Sequence, residues 1–492
     1  MEKDFGRRGG WPKPQSLLGG RLLSGRRRLV VRSAAALLAA LCLPGVTLAQ
    51  PAVADLLARL IRVDTSNPPG NEARLAELLA AEFKPLGFQI EIVPAPEGKA
   101  HFIARLKGDG SKRPVLLAAH ADVVGVEREK WSVDPFAGQI KDGYVFGRGA
   151  IDFKGGLAVF ARAVMMLAIN KVPLHRDVIF LSESDEEGGR YNTSWLAADH
   201  WDKIDCDFAL NEGGWIMENP DGTVRYVSIS TADKSGVTLL ITAKGTSTHS
   251  SMPRPDNAIF ALARAMAKIA DYDTHPKLIE STREFFLTLA KTSAPPESTY
   301  FENLVKSDDP VLVQRADKEI SKDPLLHAIM RNTIAPVFLK AGFRGNVIPG
   351  SAEATINFRT IPGTNPQELI SEIKAVINDP EISVTLAATG NRPATAGPRS
   401  MESSKDTDLY RALVRAANKV WPGAPVTPYL FQAGTDAMAW RSRGVPVYGI
   451  YPYPISAEDL TRMHGNDERV AIASLEQGVD LIYRTLVEVA AR

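Results

Sequence analysis

Two segments of this chain carry side chains that could do chemistry together. Val115-Leu-Leu-Ala-Ala-His-Ala-Asp122 is an apolar run ending on a histidine, with an aspartate two positions on, and Gly147-Arg-Gly-Ala-Ile-Asp-Phe-Lys-Gly-Gly156 presents Asp152 among glycines. Farther along come Ser182-Glu-Ser-Asp-Glu-Glu-Gly-Gly189, Asn211-Glu212 and, in the tail, Met463-His-Gly-Asn-Asp-Glu468. His120, Asp152, Glu186, Glu187, Glu212 and His464 together offer two imidazoles and several carboxylates, a donor set suited to a borderline metal such as zinc. Two divalent ions bring four positive charges. Asp152, Glu187 and Glu212 supply three negatives and a bridging hydroxide would supply the fourth, the neutral sum that a buried site favours. Adjacent glutamates cannot both ligate comfortably, so one of Glu186 and Glu187 is left free as a general base. Side chains two apart on a strand share a face, so Asp122 could hydrogen-bond the His120 imidazole and fix its tautomer.

Strands must deliver these groups. The apolar run 115–119 reads as a buried strand, and residues at strand ends in an open α/β sheet face a crevice where ligands bind. Apolar runs at 178–181 and 208–210 end likewise on the Glu186/Glu187 pair and on Glu212. Helices are expected from Leu56 to Ile61, over 72–83 and from about Gly155, the last with Leu157, Phe160, Val164 and Leu167 on one face. A strand over 88–93 follows the second helix, and Asp64-Thr-Ser-Asn-Pro-Pro-Gly70 reads as a loop. This alternation predicts an α/β fold: a mixed sheet with helices on both faces.

From Lys234 the pattern changes. Strands at 237–243, near 334–339, through Ala354, Ile356 and Phe358, and at 382–386, with helices at 257–269 and 368–377, give the order βαββαβ of a ferredoxin-like α+β unit. Residues from about 271 to 326 form a partly helical insertion with no legible role, and Thr389-Gly-Asn-Arg-Pro-Ala-Thr-Ala-Gly-Pro398 reads as a return linker. The tail resumes the α/β style and ends in a helix with Leu475, Val479, Ile482, Leu486 and Val489 on one side. The expected organisation is a signal peptide (1–49), a catalytic domain in two parts (50–233 and 399–492) and, inserted in it, a lid and dimerisation domain (234–398).

The chain has 492 residues, more than one core holds. Arg26-Arg-Arg28 and Arg32 precede an apolar stretch ending Thr47-Leu-Ala49, the layout of a secretory signal, so export to the periplasm or medium is expected. The stretch is short and carries Pro44 and Gly45, which disfavours a membrane anchor, and Leu41 before Cys42 disfavours lipidation. Removing residues 1–49 takes away nine Lys/Arg and two Asp/Glu, leaving a net charge of −6 and no case for nucleic-acid binding. Only Cys206 would remain, so no intrachain disulfide can form. No Gly-x-Ser-x-Gly elbow is present, which disfavours a serine hydrolase.

Taken in order, these motifs resemble the M20 metallopeptidases, the family of glutamate carboxypeptidases, succinyl-diaminopimelate desuccinylases and aminoacylases. The likeness spans nearly the whole mature chain. It implies that His120 and Glu212 hold one zinc, Glu187 and His464 the other, and that Asp152 bridges them. Asp122 would orient His120, and Glu186 would take the proton from the attacking water. His249, in Gly245-Thr-Ser-Thr-His-Ser-Ser251, resembles a histidine that reaches an active site across a dimer interface. Asn346 in Gly345-Asn-Val-Ile-Pro349 and Arg359 in Asn357-Phe-Arg-Thr-Ile-Pro-Gly363 resemble residues that hold the substrate carboxylate, and Gly434-Thr-Asp436 matches a substrate-side loop. The resemblance thus implies a di-zinc carboxypeptidase or dipeptidase, tolerant of cobalt or manganese in vitro, that dimerises through its lid. The alternative is an N-acyl-amino-acid amidohydrolase with the same site. Two departures stand out: Phe153 replaces the family's usual Asp or Met, at a peptide bond often cis, and Gly125 stands where proline is common.

Overall fold

The computed structural model describes residues 52–387 and 402–492. The expected signal segment 1–49 and the linker 389–398 lie outside them. Among the described residues, no helix is long and apolar enough to cross a membrane.

The strand Val115–His120 runs near the middle of an eight-stranded mixed sheet, between Val178–Glu183 and Phe208–Glu218, both parallel to it. Every residue of that strand is buried. Val115, Leu117 and Ala119 enter one cluster with the helices Val53–Ile61, Lys154–Ile169 and Ile472–Ala490. Leu116 and Ala118 enter another with Leu196, Ala197 and Trp440. The two-residue period of the strand thus feeds two apolar layers, which is why the run reads as continuously hydrophobic. Truncating one of these side chains, for example Leu117→Ala, would cost about 2–5 kcal/mol through the cavity it leaves.

The strand Phe208–Glu218 has eleven residues, longer than the short strand expected there. The polar pair Asn211-Glu212 and the two glycines after it hide the continuation, where the strand shifts register against Val447–Ile455. Four further strands of this sheet, Ala100–Leu106, Val224–Asp233, Val426–Phe431 and Val447–Ile455, are not legible in the sequence either. Val224–Asp233 buries Ser228, Ser230 and Thr231, so it lacks an apolar signature.

The second sheet is antiparallel, ordered Thr333–Ala341, Ser351–Thr360, Ser235–Lys244, Ile382–Leu386. Helices Ala258–Ala270 and Pro366–Ile377 cover one face through Leu262, Ile269, Leu369 and Ile373, the ferredoxin-like arrangement expected. The insertion behaves differently. Its helices Glu280–Thr292, Glu297–Lys306, Pro310–Ile320 and Pro324–Met330 fall within the expected lid span, yet their apolar faces join the core of the large sheet. Phe285 meets Tyr226 and Tyr429 edge-on at 5.4 and 5.2 Å.

Candidate metal centre

Three elements converge where the parallel strands end. His120 closes its strand, Glu186 and Glu187 occupy the turn after Val178–Glu183, and Glu212 projects from Phe208–Glu218 just beyond the residues paired with the His120 strand. His120 Nε2 lies 3.1 Å from Asp152 Oδ1 and 3.4 Å from Glu212 Oε2. His464 Nε2 lies 3.0 Å from both Asp152 Oδ2 and Glu187 Oε1. Asp152 therefore offers one oxygen to each histidine, from chain positions 32 residues before it and 312 after it. The potential ligand atoms fall into overlapping sets, His120/Asp152/Glu212, His120/Glu186/Glu187 and Asp152/Glu187/His464, each within 4.8 Å. All six residues expected at the centre meet there.

The electrostatics are those of a site built for positive charge. Burial raises the Glu212 carboxyl to about 7, with the Asp152 and Glu187 charges adding to it against the pull of His120. Burial would raise Asp152 too, but hydrogen bonds from His120 and His464 outweigh it and hold the carboxyl low. His464 is held up at about 10, chiefly by its bonds to Asp152 and Glu187. Glu186 is pushed well above the carboxylate range by burial and then by the Glu212 charge. The nitrogen and oxygen donors, buried on the His120 side and open to solvent at His464, fit divalent cations of the zinc type, and cations would relieve this crowding of carboxylates.

The support beneath the centre is only partly what was expected. Asp122 was expected to hold the His120 ring with its carboxylate. Instead the ring's Nδ1 lies 3.0 Å from the Asp122 backbone carbonyl, and the nearer carboxylate oxygen is 3.7 Å away. The carboxylate instead accepts from the backbone N–H of Glu186 at 3.1 Å and of Glu187 at 3.0 Å. Asn67 Nδ2 donates to Asp122 at 2.8 Å and to Asp185 at 2.7 Å, while its carbonyl accepts from buried Lys99 at 2.9 Å. The turn is tight enough that a Cβ on Gly188 would sit 2.3 Å from Asp185 Oδ1.

A second brace joins Asp152 to His464. Glu468, fully buried, accepts from the N–H groups of Ile151 and Asp152 at 2.7 and 3.0 Å and from Arg148 at 2.5 Å. Arg148 also donates to the Gly465 carbonyl at 2.8 Å. Tyr451, stacked on Trp215 at 4.2 Å, places its hydroxyl 3.1 Å from Asp152 Oδ1 and 3.2 Å from Glu212 Oε2, so its one proton is shared between the two carboxylates. The Asp152–Phe153 peptide bond is cis. Asn67, Lys99, Tyr451 and Arg148 were given no role by the sequence. Glu468 and Arg148 do stand inside the motifs, so their position was a signal left unused.

The remaining candidates form two groups. Arg359 Nη1 would lie 3.8 Å from a Cβ placed on Gly434, so those two meet, beside Lys234. Asp436, two residues on, is buried and sits close enough to feel the charges of His120 and Asp122. His249 and Asn346 are neighbours on a small ribbon of the second sheet's unit, where His249 pairs opposite Val347 and Ser250 N–H donates to the Asn346 carbonyl at 3.1 Å. Both are exposed, and His249 bonds Ser251 rather than any carboxylate of the centre.

With this geometry in hand, comparison with known proteins is specific. Residues 116–488 match the model of peptidase family M20/M25/M40. The chain is 31% identical over 385 residues to a probable carboxypeptidase S-like 2 of Dictyostelium discoideum, covering 77% of this chain and 72% of that protein. It is 28% identical over 395 residues to human N-fatty-acyl-amino acid synthase/hydrolase PM20D1, covering 79% and 77%. In fold it is similar to the M20 family metallo-carboxypeptidase Sso-CP2 from Sulfolobus solfataricus, with a TM-score of 0.64 at 18% identity over 88% of this chain and 98% of that one. Human carnosine dipeptidase 1 gives a TM-score of 0.61 at 17% identity over 89% and 95%.

Proposed function

Because the chain belongs to the M20/M25/M40 peptidases, hydrolases of amide bonds, we propose that it cleaves the bond before a C-terminal amino acid in a small peptide, as a carboxypeptidase or dipeptidase. The observation that carries this reading is the two-sided placement of Asp152, 3.1 Å from His120 and 3.0 Å from His464. His120 and Glu212 would hold one cation, Glu187 and His464 the second, with Asp152 shared, and zinc suits this mixture of donors. Such cations, once bound, polarise a carbonyl and lower the pKa of bound water to about 7.

The protein's own groups then do the rest. Glu186, not needed as a ligand, takes the proton from the attacking water and hands it to the leaving nitrogen, a shuttle that a raised pKa suits. Asp122 keeps Glu186 and Glu187 in place through their N–H groups. Arg359, beside Gly434, pairs bidentately with the substrate's free carboxylate, with Asn346 as a further donor. His249, reaching across a dimer interface, donates to the developing oxyanion.

A homodimer through the lid belongs to the same proposal. It is supported by the apolar edge of Thr333–Ala341, where Phe338 and Leu339 are 72% and 70% exposed on a strand that pairs on one side only among the described residues. Export rests on the basic and apolar pattern of residues 26–49.

The second reading is hydrolysis of N-acyl amino acids at the same centre, favoured by the similarity to PM20D1. Either reading is tested by metal analysis together with a panel of dipeptides and N-acyl amino acids, run on the wild type and on Glu186→Gln. The variant should keep its metal and lose turnover. Full turnover in the variant would end the general-base role.

A further inference from the structure

The loop that carries Glu186 and Glu187 leaves the strand Val178–Glu183 at Ser184 and returns at Asn192, which caps the helix Thr193–Asp199. Asp122 holds the middle of this loop through two N–H groups. Its two legs meet on one side chain, His101, near the start of the strand Ala100–Leu106. The pairing of that strand with Val178–Glu183 stops at Phe102 opposite Ser182, and the His101 ring takes over where the ladder ends.

The Ser184 N–H donates to His101 Nδ1 at 3.3 Å, and His101 Nε2 lies 2.9 Å from the Tyr191 carbonyl oxygen. A backbone N–H only donates and a carbonyl only accepts, so Nδ1 is bare and Nε2 carries the proton. The ring is fully buried and stacks on Trp195 at 5.9 Å, 14° from parallel. Burial pushes the imidazole down to about 4, which keeps it in the one protonation state that can hold both legs. Within the loop, Asp185 accepts from the N–H groups of Arg190 and Tyr191 at 2.9 and 2.6 Å and pairs with Lys99 at 2.8 Å. Lys99 thus meets the loop at Asp185, whereas His101 bonds it at both ends.

We propose that His101 is a positioning residue for the hydrolysis, an imidazole clasp that fixes the span of the loop and so aims Glu186 at the attacking water and Glu187 at its cation. The inference rests on the proposed function above and adds to it a residue that touches neither substrate nor metal.

The test starts from zinc-loaded protein titrated with a chelator, with release of each zinc read on the wild type and on His101→Phe, His101→Asn and His101→Gln. Phe keeps a ring against Trp195 and loses both bonds. Asn places its amide near Nδ1 and Gln near Nε2, so each retains one leg. One of the two zincs should leave the Phe variant about 10-fold to 100-fold more readily, the usual effect of losing an outer partner, and the other within twofold of wild type. Asn and Gln should fall between. Turnover should follow, with kcat down about 10-fold to 100-fold and KM within threefold. Phe286→Leu, in the buried core under the insertion, is the control: it lowers Tm through the cavity it leaves and should change neither zinc release nor kcat. A His101→Phe protein that behaves like Phe286→Leu overturns the clasp. Should the Phe variant not fold, wild-type zinc release and kcat in both Asn and Gln overturn it. Altered zinc release in the variants supports the clasp even if no amide in the panel is cleaved, in which case only the substrate reading above fails.

Discussion

The backbone N–H of Glu187 donates to the Asp122 carboxylate at 3.0 Å, and the neighbouring N–H of Glu186 donates to its other oxygen at 3.1 Å. One buried carboxylate thus sets the positions of both a proposed ligand and the proposed base. Orienting His120 falls to the Asp122 main chain instead. Asp122→Asn keeps the volume but leaves one acceptor where two are used. Turnover should fall about 10-fold to 100-fold, the usual effect of losing such an outer partner. The His120 ring should stay in place, which a crystal structure of the variant would show. A displaced ring with an unmoved Glu186/Glu187 turn would reverse the assignment.

Asn67 ties that turn to the body of the protein. Its amide bridges Asp122 and Asp185, and Lys99 steadies its carbonyl. Asn67→Ala should lower kcat about 10-fold to 100-fold while KM stays within threefold, because the residue acts through Asp122 and touches no substrate. Leaving buried partners unsatisfied should also cost about 1–3 kcal/mol of stability, readable by urea unfolding. A rise in KM with kcat unchanged would argue for direct substrate contact.

The folded pKa values dictate how the chelated protein responds to pH. Glu212 is raised to about 7, so its contribution to stability is complete below its ordinary 4.5 and is lost as pH rises through about 7. His464 is raised to about 10, so its contribution is complete below 6.5 and is lost as pH rises through about 10. The Tm of chelated protein should therefore fall from pH 5 to pH 10, and zinc should flatten the slope by replacing the protons. A Tm that rises over this window in chelator would contradict the charge arrangement.

Arg359 should govern affinity. Arg359→Ala should raise KM about 10-fold to 100-fold, the magnitude of a lost charged hydrogen bond, with kcat within threefold. A substrate whose carboxylate is amidated should be insensitive to the substitution. Equal losses on free and amidated substrates would exclude carboxylate recognition.

How much of this was legible depended on the physics of each element. The helix Glu72–Phe83 and the strand Ile382–Leu386 lie where periodicity placed them, because local spacing alone decides an amphipathic element. The ligand cluster was legible because apolar strands end abruptly on His120 and on the acidic turn. Asn67 was not, since its partners lie 55 and 118 residues away and nothing in a loop motif announces them. The insertion reads as partly helical, yet an amphipathic face does not reveal which core it will cover. Asp122 shows a subtler limit. Strand alternation put it on the correct side of the sheet, but the chain turns after His120, and the carboxylate finds N–H donors on the next loop instead of the ring.

The central claim is that Asp152 stands between two cations. Crystals grown with zinc and measured at the zinc edge test it most directly. Two anomalous peaks are expected about 3.5–4 Å apart, one between His120 and Glu212, the other between Glu187 and His464, with Asp152 touching both. A single peak, or peaks that Asp152 does not join, would contradict the account.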